Sequence, residues 1–208
     1  MAWVRKLKNE KGFSKLGAVE IASLSALTQP PRRITGARDG RAHDERWPAW
    51  SPDGRSIAFL FVEGSAQETG ALTAYKPDAG VVQETIDEQR IAVVDVATGK
   101  VRQVSPANLY VYDYDWSPDG KRFAAEAAEG SGTNNYWIAR LYKVDVESGR
   151  ASSIWKPPYQ IACPRWSPDG QEIAVIHGIM SDEGSTGGDI WTVPAAEGAP
   201  KNRTEGMK

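Results

Sequence analysis

Apolar residues in this chain gather in short runs of strand length, and no stretch sustains the 3.6-residue period of an amphipathic helix. Three runs, Ser56 to Val62, Arg122 to Ala127 and Glu172 to His177, carry a large apolar residue at one fixed place, Ile57, Phe123 and Ile173. A small residue stands beside each of them, Ala58, Ala124 and Ala174, as suits sheets packed closely on neighbouring sheets. Each run is preceded by a shorter one that ends in Trp: Trp47 to Trp50, Tyr112 to Trp116 and Cys163 to Trp166. The two runs are joined each time by the same pentapeptide, Trp-Ser-Pro-Asp-Gly.

The pentapeptide reads as a hairpin turn, because Pro presets φ at the second turn position, Asp tolerates the third, and Gly supplies the positive φ that closes it. Trp50, Pro52, Asp53 and Gly54, then Trp116, Pro118, Asp119 and Gly120, then Trp166, Pro168, Asp169 and Gly170, are therefore assigned a structural role. A third run follows in each unit, Arg90 to Val96, Leu141 to Val146 and Asp189 to Val193. A fourth comes after Thr98-Gly99, Ser148-Gly149 and Glu197-Gly198, dipeptides that signal a second hairpin. Four antiparallel strands in a repeated meander predict an all-β fold, a β-propeller of four-stranded blades.

The expected boundaries are a tail over 1–17, a half blade over 18–35, blades over 45–105, 110–156 and 160–205, and a tail over 206–208. In the half blade, Ala18 to Leu24 and Pro30 to Thr35 read as third and fourth strands whose first two are missing. The first full blade carries a polar insertion between Glu63 and Glu88, read as a loop from Gly64, Gly70, Pro77 and Gly80. About three and a half blades fall short of the roughly four to eight at which propellers close. The pattern thus predicts an incomplete propeller, either a piece of a longer polypeptide or an open arc that needs a partner. The apolar faces an open arc would leave in water favour the first.

Composition narrows the classes of partner. With 25 Lys and Arg against 27 Asp and Glu, a net charge of -2 gives no reason to expect nucleic acid. The single cysteine, Cys163, excludes an internal disulfide framework and a CxxC metal site. No apolar run is long enough to span a membrane, and the basic stretch Met1 to Leu16 lacks the apolar segment of a signal peptide. That absence points to the cytoplasm, while a truncated start would leave the periplasm open.

Trp-Ser-Pro-Asp-Gly, followed by Arg55-Ser56-Ile57-Ala58-Phe59 and later by Asp189-Ile190-Trp191-Thr192-Val193, resembles the TolB-like propeller repeat over roughly residues 18 to 205. The long loop of the first blade, the stretch Asn108 to Asp115 and the Gly-rich loop Gly178 to Gly188 are most similar to the N-terminal propeller of prolyl oligopeptidase family serine peptidases, of dipeptidyl or acylaminoacyl peptidase type. This resemblance implies a noncatalytic segment that gates peptide access to an α/β-hydrolase domain, with peptide substrates as partners through that domain. The alternatives are a TolB-like module of the cell envelope, with a protein partner completing the ring, and a freestanding propeller that binds small ligands in its channel. The chain has no Gly-x-Ser-x-Gly nucleophile elbow: Gly130-Ser131-Gly132 and Gly184-Ser185-Thr186-Gly187 do not fit it. No catalytic residue, cofactor or metal site is therefore assigned.

The resemblance also implies that Asp182 and Glu183, in the Ser- and Gly-rich loop of the last blade, hold a substrate's α-ammonium, since two adjacent anions facing a cleft favour a buried cation. A solvated acidic loop is the competing reading. His43 and His177 lie in the blade framework without ligand spacing and read as structural. Asp113 and Asp115, with Asp44 and Glu45 before the first-blade Trp, either line the channel and bind Ca²⁺ or are solvated or hydrogen-bonded to turn amides. The tryptophans are assigned to blade packing, with Trp191 placed where Val93 stands in the first blade, and Arg32-Arg33 to a solvated strand end.

Overall fold

A computed structural model describes residues 2–8, 14–23, 25, 29–35, 46–62, 88–130, 133–179 and 187–207. Among these residues, fifteen strands form four antiparallel sheets, and a single turn-like 3-10 helix, Thr133–Ile138, follows the ninth strand. The first sheet holds β1 (Ala2–Lys8), β2 (Ser14–Ile21) and β3 (Arg32–Arg33). The second holds β4 (Arg46–Trp50), β5 (Ser56–Val62), β6 (Gln89–Asp95) and β7 (Val101–Gln103). The third is β8 (Leu109–Trp116), β9 (Arg122–Glu129), β10 (Arg140–Asp145) and β11 (Ala151–Trp155). The fourth is β12 (Gln160–Trp166), β13 (Glu172–Gly178), β14 (Asp189–Pro194) and β15 (Lys201–Asn202). Within each sheet, strands that follow one another in the chain pair with one another, which makes each sheet a propeller blade and the fold an incomplete propeller.

Two compact units divide the chain, Met1–Trp50 with Arg55–Gln103, and Ser51–Gly54 with Val104–Lys208. In the first unit the buried residues Val19, Ile34, Ile57, Phe59, Ala92 and Val94 form one apolar cluster. In the second, Ala124 and Leu141 of the third sheet pack with Ile161, Trp166, Ile173 and Val193 of the fourth. The aligned large residues Ile57, Phe123 and Ile173 are all fully buried, as are Ala58 and Ala124. Strand β9 is buried from Phe123 through Ala128, on both of its faces, as a strand sandwiched between neighbouring layers must be.

The first sheet differs from expectation. Where the sequence pattern places a tail over 1–17 and only two strands in this sheet, Ala2–Lys8 pairs along its whole length with Ser14–Ile21, from Ala2 opposite Ile21 to Lys8 opposite Ser14. The cations Arg5, Lys6 and Lys8 mask a strand whose partner lies in the next segment, and local pattern does not report pairing of that kind. A second correction concerns register. Trp191 lies opposite Val175, whose counterpart Phe59 lies opposite Ala92, so Trp191 matches Ala92 and not Val93. A shift of one residue changes the face of the sheet, and Ala92 belongs to the core cluster of its unit.

Candidate functional site

Each blade has two ends. At one end lie the Trp-Ser-Pro-Asp-Gly turns. The Ser117 Oγ donates to Asp119 Oδ1 at 2.6 Å, the Lys121 N–H donates to the same oxygen at 3.0 Å, and the Arg122 N–H donates to Ser117 Oγ at 2.9 Å. Gly120 closes the turn at φ 68°, its N–H donating to the Ser117 carbonyl at 2.8 Å. Ser167, Asp169, Gly170, Gln171 and Glu172 repeat the arrangement with nearly the same distances. In the first copy Ser51 Oγ again donates to Asp53 Oδ1 at 2.6 Å. The Ser117 hydroxyl, followed by burial acting in the opposite sense and the Lys121 amide, leaves the Asp119 carboxyl at about 2. The second hairpin of the second and third sheets has a similar device: Asp95 accepts from the Thr98 N–H and hydroxyl, and Asp145 from those of Ser148. These polar side chains serve the turns' own hydroxyl and main-chain N–H groups.

The innermost strands of the second unit carry a feature that sequence reasoning did not foresee. β8 is bulged between Val111 and Asp113, and β12 between Ala162 and Arg165, where Cys163 takes a φ of 55°. The bulges bring carboxylates of one sheet to the next. Asp113 Oδ2 lies 3.2 Å from Arg165 Nη1, and Asp115 Oδ2 accepts the Trp166 main-chain N–H at 2.8 Å. Burial raises both carboxyls above their ordinary value, opposed at Asp113 by the Arg165 charge and at Asp115 by the Trp166 amide. Burial, then the Asp113 and Asp115 charges, pushes the Tyr114 phenol well up. Burial followed by the Asp113 charge likewise raises the Cys163 thiol, which makes it a poor nucleophile at neutral pH. Among the described residues no three His, Cys, Asp or Glu side chains are grouped to hold a metal ion. Asp113 and Asp115 thus link two sheets through the Arg165 side chain and the Trp166 strand amide, and not through the turn amides that the sequence reading offered. Asp44, Glu45 and His43 lie outside the described residues, and so do Asp182 and Glu183.

The opposite end of the second unit is different in kind. The 3-10 helix packs on β8, β9 and β12. Tyr136 of this helix clusters with Tyr110 and Tyr112 of β8, with ring centroids 5.1 Å apart for Tyr110 and Tyr112 and 6.4 Å for Tyr112 and Tyr136. Trp137 lies 4.7 Å from Tyr136 and is 48% exposed, and Ile138 beside it is 66% exposed. Tyr159, just before β12, is 55% exposed, and Ile179, just after β13, is 77% exposed. Gln160 pairs with Gly178, so these last two flank one strand pair. Four of the large exposed apolar side chains of the unit thus stand at one end of two adjacent blades, a surface suited to contact with polypeptide. The run Tyr136-Trp137-Ile138 was the sequence signal that could have found it.

Comparison with known proteins places the chain among propellers. No family model matches it. It is 27% identical over 138 residues to dipeptidyl-peptidase 5 of Porphyromonas gingivalis, an alignment covering 62% of this chain and 17% of that protein. The chain spans less than a fifth of the length of that protein and of the peptidase YuxL of Bacillus subtilis, to which it is also 27% identical. Among solved structures, TolB of Acinetobacter baumannii superposes with a TM-score of 0.60 at 19% identity, over 98% of this chain and 41% of TolB. A puromycin-hydrolyzing peptidase of Mycobacterium tuberculosis superposes with a TM-score of 0.57 at 16% identity, over 90% of this chain and 24% of the peptidase. The chain thus shares the propeller fold of TolB and of the puromycin-hydrolyzing peptidase.

Proposed function

We propose that this chain is the noncatalytic propeller segment of a prolyl oligopeptidase-like serine peptidase, and that it restricts peptide access to an α/β-hydrolase domain carried by other sequence. The observation that carries the reading is the 27% identity to a dipeptidyl peptidase over 138 residues of blade sequence. The apolar loop end of the second unit, with Trp137, Ile138, Tyr159 and Ile179 exposed, supports a role in contact with polypeptide. In this reading the nucleophile, base and oxyanion donors belong to the hydrolase domain. Asp182 and Glu183 are proposed to hold the free α-ammonium of the peptide, and Glu183→Ala in the intact enzyme is expected to raise KM for substrates with a free N-terminus and leave N-blocked ones unaffected.

The test is labelling of the native polypeptide, detected with an antibody to this segment, by a serine-directed fluorophosphonate. A labelled band several-fold heavier than 22.7 kDa is the expected result, and an unlabelled band at 22.7 kDa would overturn the proposal. A TolB-like protein-binding module is the second reading, favoured by the 98% coverage of this chain in the TolB superposition. Capture of an intact protein partner, with no serine labelling of a heavier band, would select it.

A further inference from the structure

His177 is the penultimate residue of strand β13, and its buried ring is enclosed by three aromatic rings from two sheets and the segment that joins them. The imidazole centroid lies 5.0 Å from Trp155 at the end of β11, 5.8 Å from Tyr159 in the joining segment, and 5.1 Å from Trp191 on β14. Trp155 and Trp191 stack on each other at 5.7 Å. Nε2 of the imidazole accepts the main-chain N–H of Tyr159 at 3.4 Å, a long hydrogen bond. That acceptor exists only in the neutral ring with its proton on Nδ1.

We propose that His177 is a pH-sensitive latch, which fastens the segment between the third and fourth sheets when neutral and releases it when protonated. Protonation turns Nε2 from acceptor into donor, so it then faces the Tyr159 N–H donor to donor, and it places a charge in an aromatic enclosure. Among the described residues, the charged groups near the ring are few. From β14, Asp189 stands opposite His177 in register, and its two oxygens already accept from Asn202 Nδ2 at 2.6 Å and Thr204 Oγ1 at 3.2 Å. The joining segment offers the phenol of Tyr159 and the exposed ammonium of Lys156, while β11 and the stretch Gln160 to Ala162 of β12 have no ionisable side chain. On β13 itself the other ionisable residue is Glu172, at the far end of the strand. Burial lowers the imidazole below its ordinary value, and the Asp189 charge opposes this in part. The latch is accordingly closed at neutral pH and opens in mild acid, freeing Tyr159, one of the exposed aromatics of the loop end.

Hydrogen–deuterium exchange of the intact polypeptide tests this directly. Pro157 and Pro158 have no N–H, so a fragment spanning 156–160 reports chiefly on the Tyr159 and Gln160 amides. After correction for intrinsic rates, Tyr159 protection is expected to fall by up to about tenfold per pH unit as pH drops from the ordinary imidazole value to the lowered native midpoint, taken from the ring resonances of the two histidines, and to level off below it. His177→Gln, whose amide oxygen accepts the same N–H and does not titrate, is expected to hold protection level across that range, and His177→Phe to lose it at every pH. Wild-type protection unchanged through the midpoint would overturn the proposal, and so would a pH-dependent loss that persists in His177→Phe.

Discussion

Replacing Asp119 by Asn isolates what the carboxylate contributes to the repeated turn. Asp119 Oδ1 accepts from the Ser117 hydroxyl and the Lys121 N–H, and Oδ2 lies 3.2 Å from Arg122 Nη2. Its fall from an ordinary 3.8 to about 2 would, taken at face value, amount to about 2.5 kcal/mol. The side chain is 41% exposed, however, and solvent screening reduces that to about 1 kcal/mol. Because the folded-state value is depressed, this stability is present in full above the unfolded value and is lost as pH falls through the folded one. About half of it should be gone at pH 3. Urea unfolding followed by tryptophan fluorescence is the assay, and for a denaturant slope of about 2 kcal/mol per molar the Asp119→Asn midpoint should drop by about 0.5 M at pH 7. Ser117→Ala should give a similar deficit, and the double variant less than the sum, since both remove one hydrogen bond. Equal midpoints at pH 7, or a deficit that grows toward pH 3, would refute the reasoning.

Three further outcomes follow from the packing. Gly149→Ala should cost about 2 kcal/mol or more, because a Cβ there would meet the Val104 carbonyl oxygen at 2.6 Å with φ at 70°, whereas Gly54→Ala, which meets nothing within 4 Å at the same φ, should cost only about 1 kcal/mol. A pair of melting curves decides it, and equal losses would count against the clash. Phe123→Ala should lose about 3–5 kcal/mol, since the ring is fully buried against Trp116 and Tyr114 at 4.2 and 5.5 Å, and a loss under about 1 kcal/mol in chemical denaturation would contradict the assigned packing. Arg203→Ala should cost no more than about 1 kcal/mol despite contacts at 3.0 and 3.2 Å to both Glu172 oxygens, because the pair is exposed, and its effect should shrink further in high salt.

What could be read in the sequence was whatever is decided within a few residues. The Ser-Pro-Asp-Gly turn needs only its own side chains and φ angles, so three identical copies announced three hairpins, and the second strands were placed to within a residue or two at their ends. The turn at Asp95 and Thr98, repeated at Asp145 and Ser148, was equally local and was marked by its glycine. The inner-strand bulges were invisible because their cause is tertiary: nothing in Tyr112-Asp113 or Cys163-Pro164 states that Asp113 will reach Arg165 on another sheet. The one-residue error at Trp191 has the same origin, since register is fixed by the partner strand and by which face is buried. β1 was missed because its cations read as a solvated tail until Ser14–Ile21 supplies the pairing.

The contrast between the two ends of the blades bears on where recognition resides. At the turn end the same residues recur, and their polar atoms are used within the turn: Ser167 and Asp169 make the bonds that Ser117 and Asp119 make, while Gly170 lies against the Pro118 ring, 3.8 Å from where its Cβ would be. An end so occupied with its own geometry can vary little without loss of the hairpin. Between the sheets, Asp113 and Asp115 are likewise committed, to Arg165 and to the Trp166 amide. At the loop end, by contrast, the third sheet presents a 3-10 helix with Trp137 and Ile138 outward, and the fourth presents Tyr159 and Ile179. Those side chains are not needed to close a hairpin, and leaving them in water has a cost that a partner surface would remove. The repeated end builds the blades, and the non-repeated end is where substitutions such as Trp137→Ser should change binding while leaving the melting temperature in place.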